Sequence, residues 1–484
     1  MGRPPHASER AQRAIVGLVV VVYVLLIGEG IIRKWLLPEW SEYLFFIRDP
    51  FVIAVYALAL LNNRWPRHSA PLWSAVAFAL VGGVLALLQG LLGHGFERQA
   101  LFAAYGWRNY FLYAPLAFVI GAVVDRDTVD RIVRWTLIAS IPIAALAMVQ
   151  FYAPIDSPIN VGSALDEAHQ FRGLGLTETR TRPMGTFTSS VGQSLFVASC
   201  MAMVLSLWMD PGRRWARRLP LLVLASAATF AALAFSGSRG AVANGALLLL
   251  AAAALALVIR KRAVANRALA VPLAATLAGI FVTPLVFAEG YSAFLRRWSI
   301  AYQDESTGFQ FGIVGRALYG FVDFVRLLAD TPLLGFGLGL GENASSQLGL
   351  TIGGLVPLTI AETDWARHIV DLGPVLGLLF IGYRVTLVLW IGRLTLMHAR
   401  RHADPLPFML FAFLAQTLLL GQIAGHGTAN GYCWIFLGLC LAAMKLRTAP
   451  VTSRNVAREP RFPNIARPRS PVPQAQFRGR QHGA

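Results

Sequence analysis

Charge is scarce in this chain. Asp, Glu, Lys and Arg together make up 14% of the 484 residues, while 56% are hydrophobic. A soluble domain carries roughly a quarter of its residues as charges, so an ordinary soluble globule is excluded. Cysteine is nearly absent: Cys200, Cys433 and Cys440 all sit in apolar runs. This rules out a disulfide framework and a zinc spacing, and suits small packing residues inside helices. No metal site and no cofactor are expected. A cleavage site is also missing after the first apolar block. Arg3, Arg10 and Arg13 precede it as in a signal peptide, but Gly28-Glu29-Gly30-Ile31-Ile32-Arg33 follows, so the block is read as an uncleaved anchor.

Long apolar runs are abundant. Leu18–Ile27, Ala246–Ile259 and Val375–Ile391 are the cores of stretches of roughly 18 residues or more, enough to cross a hydrocarbon layer of about 30 Å. Spans are predicted near 14–32, 44–61, 71–92, 101–124, 132–153, 190–209, 219–236, 240–259, 268–288, 369–392, 405–424 and 429–446. The expected fold is an all-α polytopic membrane helical bundle of about twelve transmembrane helices.

The net charge of +18 would suggest nucleic acid on a soluble protein. Its distribution argues otherwise. With the N-terminus inside, the inside loops collect Arg64/Arg67, Arg126/Arg131/Arg134, Arg213/Arg214/Arg217/Arg218, Arg260/Lys261/Arg262/Arg267 and Arg393/Arg400/Arg401. That alternation matches the positive-inside rule, places both termini in the cytoplasm and leaves no role for nucleic acid.

The organisation is expected to be residues 1–210 as N-terminal spans with an outer loop at 153–189, 211–448 as a core with a second outer loop at 288–368, and 449–484 as a disordered basic tail. The tail holds Pro450, Pro460, Pro463, Pro468, Pro471 and Pro473 among seven arginines, with little to bury, and its charge suits anionic headgroups. In the second outer loop, Ile313–Asp330 reads as an amphipathic helix suited to the membrane–water boundary. Arg316, Asp323, Arg326 and Asp330 recur at helical spacing, and Leu318, Phe321, Val322 and Val325 form another side.

Four features carry candidate chemistry. Gly335, Gly337 and Gly339 punctuate a turn-rich loop that is either a close approach to lipid or sugar, or a plain loop. Ser236-Gly237-Ser238-Arg239-Gly240 puts Arg239 at a helix start, which the helix dipole disfavours unless an anion is near; the alternative is an Arg that snorkels to water. Glu362, Asp364, Arg367 and His368 cluster before an apolar span, with Asp364 and His368 spaced to pair and Trp365 as an interface anchor. A carboxylate there suits a general base toward a sugar hydroxyl. Arg172, Arg180, Arg182, Arg296, Arg297, Arg316 and Arg326 lie on the outer loops, where guanidinium forks suit phosphate.

The order Ser238-Arg239-Gly240, then Gly315-Arg316, then Thr331-Pro332-Leu333-Leu334-Gly335-Phe336-Gly337, then Asp371-Leu372-Gly373 resembles the bacterial O-antigen ligase and polymerase family over roughly 220–395. The resemblance implies a GT-C class membrane glycosyltransferase of surface or exopolysaccharide biosynthesis. It would act at the periplasmic face of the inner membrane on an undecaprenyl-pyrophosphate-linked glycan donor, with a glycan or lipid acceptor and membrane lipids as its other partners. Neither nucleotide sugar nor metal is implied. Arg239 and Arg316 would hold the pyrophosphate, with Arg326, Arg367 and Arg182 as further candidates. Many ligases carry His-Asn about nine residues before the acidic-x-Gly signature; here Glu362-Thr363 stands there. Glu362 or Asp364 is therefore the candidate base, and an exopolysaccharide polymerase stays open beside a ligase. The competing classes are a secondary transporter, with Glu29 and Gln89 as candidate midplane polar groups, and a non-catalytic assembly protein.

Overall fold

The computed structural model describes residues 5–92, 103–161, 181–210, 219–289, 291–292, 295–296, 299, 313–340 and 363–445. The tail 449–484, about half of each outer loop, and Glu362, Arg172, Arg180 and Arg297 lie outside the described residues. Among the described residues the fold is all-helical. The helices are α1 (Pro5–Ile31), α2 (Asp49–Leu61), α3 (Ala70–Leu92), α4 (Ala114–Val123), α5 (Arg126–Tyr152), α6 (Ser190–Met209), α7 (Leu219–Phe235), α8 (Arg239–Leu255), α9 (Arg262–Val286), α10 (Ile313–Leu327), α11 (Asp364–His402), α12 (Pro405–Leu420) and α13 (Gly427–Ala443). Met1–Arg447 form one compact unit. Among the described residues six helices are long and apolar enough to cross a membrane, and Asp49–Leu61, Leu219–Phe235, Arg239–Leu255, Pro405–Leu420 and Gly427–Ala443 are shorter apolar helices.

Local chemistry sets the helix starts. The side chains of Asp125, Ser189, Ser238, Thr363 and Asp404 each accept a hydrogen bond from a first-turn backbone N–H, satisfying donors the helix leaves open. Pro50, Pro115 and Pro405 occupy first-turn positions, where a missing N–H costs nothing. The charged triplet Arg48-Asp49-Pro50 inside a predicted span is thus a helix entry rather than an interruption.

Packing sorts the helices by surroundings. α6 is buried over most of its length, with Cys200, Met203 and Leu205 all in the core. α9 is the opposite: Leu269, Leu273, Phe281 and Leu285 are exposed on an apolar helix, a surface that water would not tolerate at this size. α4 and α13 approach closely because Gly438 lacks a side chain; a Cβ there would lie 2.7 Å from Ala117 O, the small-residue device of membrane helix pairs.

Polar contacts mark two ends. At one end, Gln12 donates to Val123 O at 3.0 Å, Arg126 pairs with Asp404 at 2.7 Å, and Lys445 donates to Ala122 O and Val124 O at 2.7 and 2.8 Å. These are the residues that the sequence places on the inner side. Around Asp125, burial opposes ionisation, but hydrogen bonds from Thr128 and the charges of Arg131 and Lys445 hold the carboxyl below its ordinary value. Replacing Asp125 with Ala should lower stability by about 1 kcal/mol, read as a lower midpoint of thermal unfolding in detergent. Because the folded-state value is depressed, the wild-type advantage should be present at neutral pH and fade as pH falls below the usual carboxylate range.

Candidate functional site

The opposite end gathers Asp364, Arg367 and His368, which the sequence pointed to, and several polar side chains that it did not. Its organising event is a break in α11. Gly373 adopts φ 82°, ψ 165°, and Pro374 follows. A straight helix would separate residues 364 and 384 by about 30 Å, yet Arg384 Nη1 reaches Asp364 Oδ2 at 2.5 Å. The segment 364–372 therefore folds back along the segment after Gly373. Gly377 permits this, since a Cβ there would lie 2.6 Å from His368 O.

The glycine loop seats on that break. Phe336 N donates to Val370 O at 2.8 Å. Gly335 has φ +76°, and a Cβ on it would come within 2.6 Å of Asp371 O. Gly339 N lies where a Cβ on Gly106 would be 2.5 Å away. Two of the three loop glycines, Gly335 and Gly339, thus approach protein backbone closely. Gln89, from α3, closes the junction. Its amide donates to Leu334 O at 2.5 Å and Asp371 O at 2.9 Å, and its carbonyl accepts from Leu338 N at 2.9 Å.

Under the loop runs a directional chain of hydrogen bonds. Asp364 is buried, with Oδ2 on Arg384 and Oδ1 accepting from Ala424 N at 3.2 Å. The spacing-predicted neighbour His368 is there too, its Nε2 3.6 Å from Asp364. Arg384 also contacts His368 Nε2. Arginine only donates, so that nitrogen accepts and the proton sits on Nδ1. Nδ1 faces Tyr110 Oη at 3.1 Å, and Tyr110 donates to Asp371 Oδ2 at 3.1 Å. Arg367 is buried with its guanidinium against Gly425. Trp365 is buried beneath Phe321 and Phe324, with ring centroids at 5.2 and 5.9 Å, so it anchors α10 to α11 instead of standing at an interface.

A second group lies across the 421–427 loop. Arg48 pairs with Glu29 at 2.6 Å and donates to Gly427 O at 3.2 Å. Arg108 grips both oxygens of Asp49 at 2.9 Å, and Tyr113 donates to the same carboxylate at 2.7 Å. Arg33 lies 3.7 Å from Glu29 and donates to Ser41 O at 3.0 Å. Ser189 meets His426 Nε2 at 2.9 Å. The 421–427 loop is shared by both groups, since it supplies partners to Asp364, Arg384, Arg48 and Ser189.

The remaining sequence candidates are placed as follows. Arg326 pairs with Asp323 at 2.5 Å and is half exposed; Thr363 donates to the other oxygen of Asp323 at 3.3 Å. Helix α10 ends at Leu327, short of Asp330, and exposes Leu318, Val322 and Val325 while Phe321 turns inward. Arg316 lies in α10, and its side chain is outside the described residues. Arg182 belongs to a segment pinned through Gly185, whose carbonyl accepts from Lys34 at 2.9 Å. Arg239 opens α8 behind its cap Ser238. Beside that turn lies an apolar cavity of about 370 Å3, lined by Gly237, Leu233, Val242, Leu249, Ile280 and Leu295.

Sequence spacing missed Arg384, Tyr110, Arg48 and Arg108. The signal for them was cost: an arginine inside an apolar run needs a buried partner. Comparison with family models and with curated protein sequences finds no match.

Two outcomes test this description. Arg384→Gln should destabilise the fold by about 3–5 kcal/mol, because Asp364 is left buried without its counter-ion, whereas Arg384→Met combined with Asp364→Leu should recover most of that loss. Gln89→Leu strips partners from three backbone groups, each worth about 1–3 kcal/mol. Thermal unfolding in detergent reads both; an unchanged midpoint for Arg384→Gln would contradict the buried pair.

Proposed function

We propose that this chain is a twelve-crossing inner-membrane protein with both termini cytoplasmic and the α11 break on the periplasmic side. There it transfers or polymerises an undecaprenyl-pyrophosphate-linked glycan, as the resemblance to O-antigen ligases and polymerases implies. The observation that carries the proposal is that Arg239 follows a turn whose Gly237 lines an apolar cavity. Arg239 stands at the first position of α8, where the helix N-terminus adds its own positive potential. The neighbouring cavity is lined by Leu233, Leu249 and Ile280. A charged turn next to an apolar slot suits an anionic head on a hydrocarbon tail. Each of the twelve predicted apolar segments overlaps a helix, six of them long and apolar enough among the described residues to cross a membrane, and the two polar ends group residues as an alternating path does, which supports a path of many crossings.

In this reading an acceptor hydroxyl attacks the anomeric carbon of the donor. The new glycosidic bond forms as the bond to the pyrophosphate oxygen breaks, and undecaprenyl pyrophosphate leaves with its charge held by Arg239 and Arg316. The hydroxyl proton goes to a carboxylate. Asp364 is committed to Arg384 and Ala424, which makes Glu362 the proposed base and Asp364 the strut that fixes the segment carrying it. Arg326, Arg367 and Arg182 are proposed as further anion contacts.

A second reading has its own observation. A discontinuous helix with buried ionisable groups beside the break, as in α11, is how secondary transporters build substrate sites. Arg239→Ala and Arg316→Ala should each abolish surface polymer at unchanged protein level; full-length polymer from both variants would overturn the glycosyltransferase reading. Solute uptake by the purified chain in liposomes free of lipid-linked sugar would favour the transporter.

A further inference from the structure

The end opposite the α11 break holds a cleft unconnected with that chemistry. It has a volume of about 730 Å3 and is lined by Arg260, Lys261, Met397, Arg400, Arg401 and His402 together with Ala403. Its cations come from two remote segments, the turn between α8 and α9 and the last turn of α11. Arg260, Lys261, Arg400, Arg401 and His402 are exposed, and among the described residues none of them has a hydrogen-bond or ion-pair partner. Among the described residues no acidic side chain lines the cleft. Asp404, the carboxylate nearest in sequence, is turned to Arg126 at 2.7 Å and His398 at 3.9 Å.

An ordinary solvated basic face spreads its charges apart. Here four permanent positive charges border one concavity, and the available carboxylate is spent elsewhere. Their mutual repulsion is relieved by an anion seated among them. The surroundings say which kind of anion. Leu257, one turn before Arg260, is 89% exposed, and Leu269 on α9 is 54% exposed. A basic cleft flanked in the chain by bare leucines suits an amphiphile, with a phosphate head between the arginines and acyl chains along the leucines. We propose that this cleft is a binding site for the phosphate headgroup of an anionic phospholipid from the inner leaflet.

The test uses the full-length chain purified in neutral detergent. Phosphatidylglycerol added in mixed micelles should raise the unfolding midpoint and remain bound through gel filtration, and phosphatidylcholine should do neither. Arg400→Gln combined with Arg401→Gln should weaken phosphatidylglycerol binding roughly 25-fold, at about fivefold per charge removed. Without lipid this variant should be no less stable than the wild type, since repulsion has been removed, which separates lost binding from misfolding. Arg10→Gln with Arg13→Gln removes the same charge elsewhere and should leave binding unchanged. Equal loss in both double variants would overturn the site in favour of general electrostatic attraction. Stabilisation by inorganic phosphate alone at the same concentration would overturn the lipid assignment in favour of a free anion.

Discussion

The polar end of this molecule depends on one buried ion pair. Asp364 and Arg384 are 20 positions apart and meet because the chain reverses at Gly373. Two charges removed from water are expensive, and their attraction repays that cost only with good geometry and further hydrogen bonds. Both conditions hold: Arg384 also donates to Leu418 O at 2.7 Å, and Asp364 takes Ala424 N. The pair thereby ties the reversed segment to α12 and to the loop before α13. With that segment fixed, Val370 O and Asp371 O become docking points for the glycine loop and for Gln89, and Trp365 becomes the floor on which α10 rests.

The same economy explains why a largely apolar chain keeps so many arginines out of water. Several are matched where they stand: Arg48 by Glu29, Arg108 by Asp49 and Arg126 by Asp404. Aromatic faces supplement the carboxylates. Arg108 lies over Phe45 at 4.8 Å and over Tyr113 at 5.3 Å, contacts whose value rises as water is excluded. The result is a polar layer at helix ends with apolar packing between, an arrangement suited to a bilayer with water on both sides.

Much of the helix placement was legible because apolar run length is a one-dimensional signal. The helix start at Arg239, α10 as an amphipathic helix and the Asp364–His368 proximity followed from short-range spacing rules, and the structure shows each of them. The reversal at Gly373 was not legible. A Gly-Pro step inside a hydrophobic run reads as a kink, and only the partner positions reveal that the chain turns back. The backbone contacts of the glycine loop were not legible for a related reason: a run of glycines announces a close approach but not what approaches. Arg384 and Arg48 were invisible to spacing rules because their partners come from elsewhere in the chain, as in the contact of Arg48 with Gly427. Exposed Leu318, Val322 and Val325 on α10 fit the predicted amphipathicity, while Phe321 changed sides because Trp365 offered it a ring to pack on.

The fold-back has a consequence for how the protein is made. Synthesis runs from the N-terminus, and domains assemble as their parts emerge. Asp364, Arg367, His368 and Asp371 leave the ribosome before any of their downstream partners. Arg384 follows, and the 421–427 loop comes later still. The segment 364–372 is too polar to stay buried without them, so it waits in water until α12 and α13 arrive. The polar end is therefore the last part of the molecule to close, and a chain truncated before Gly421 would hold most of its helices and no finished site.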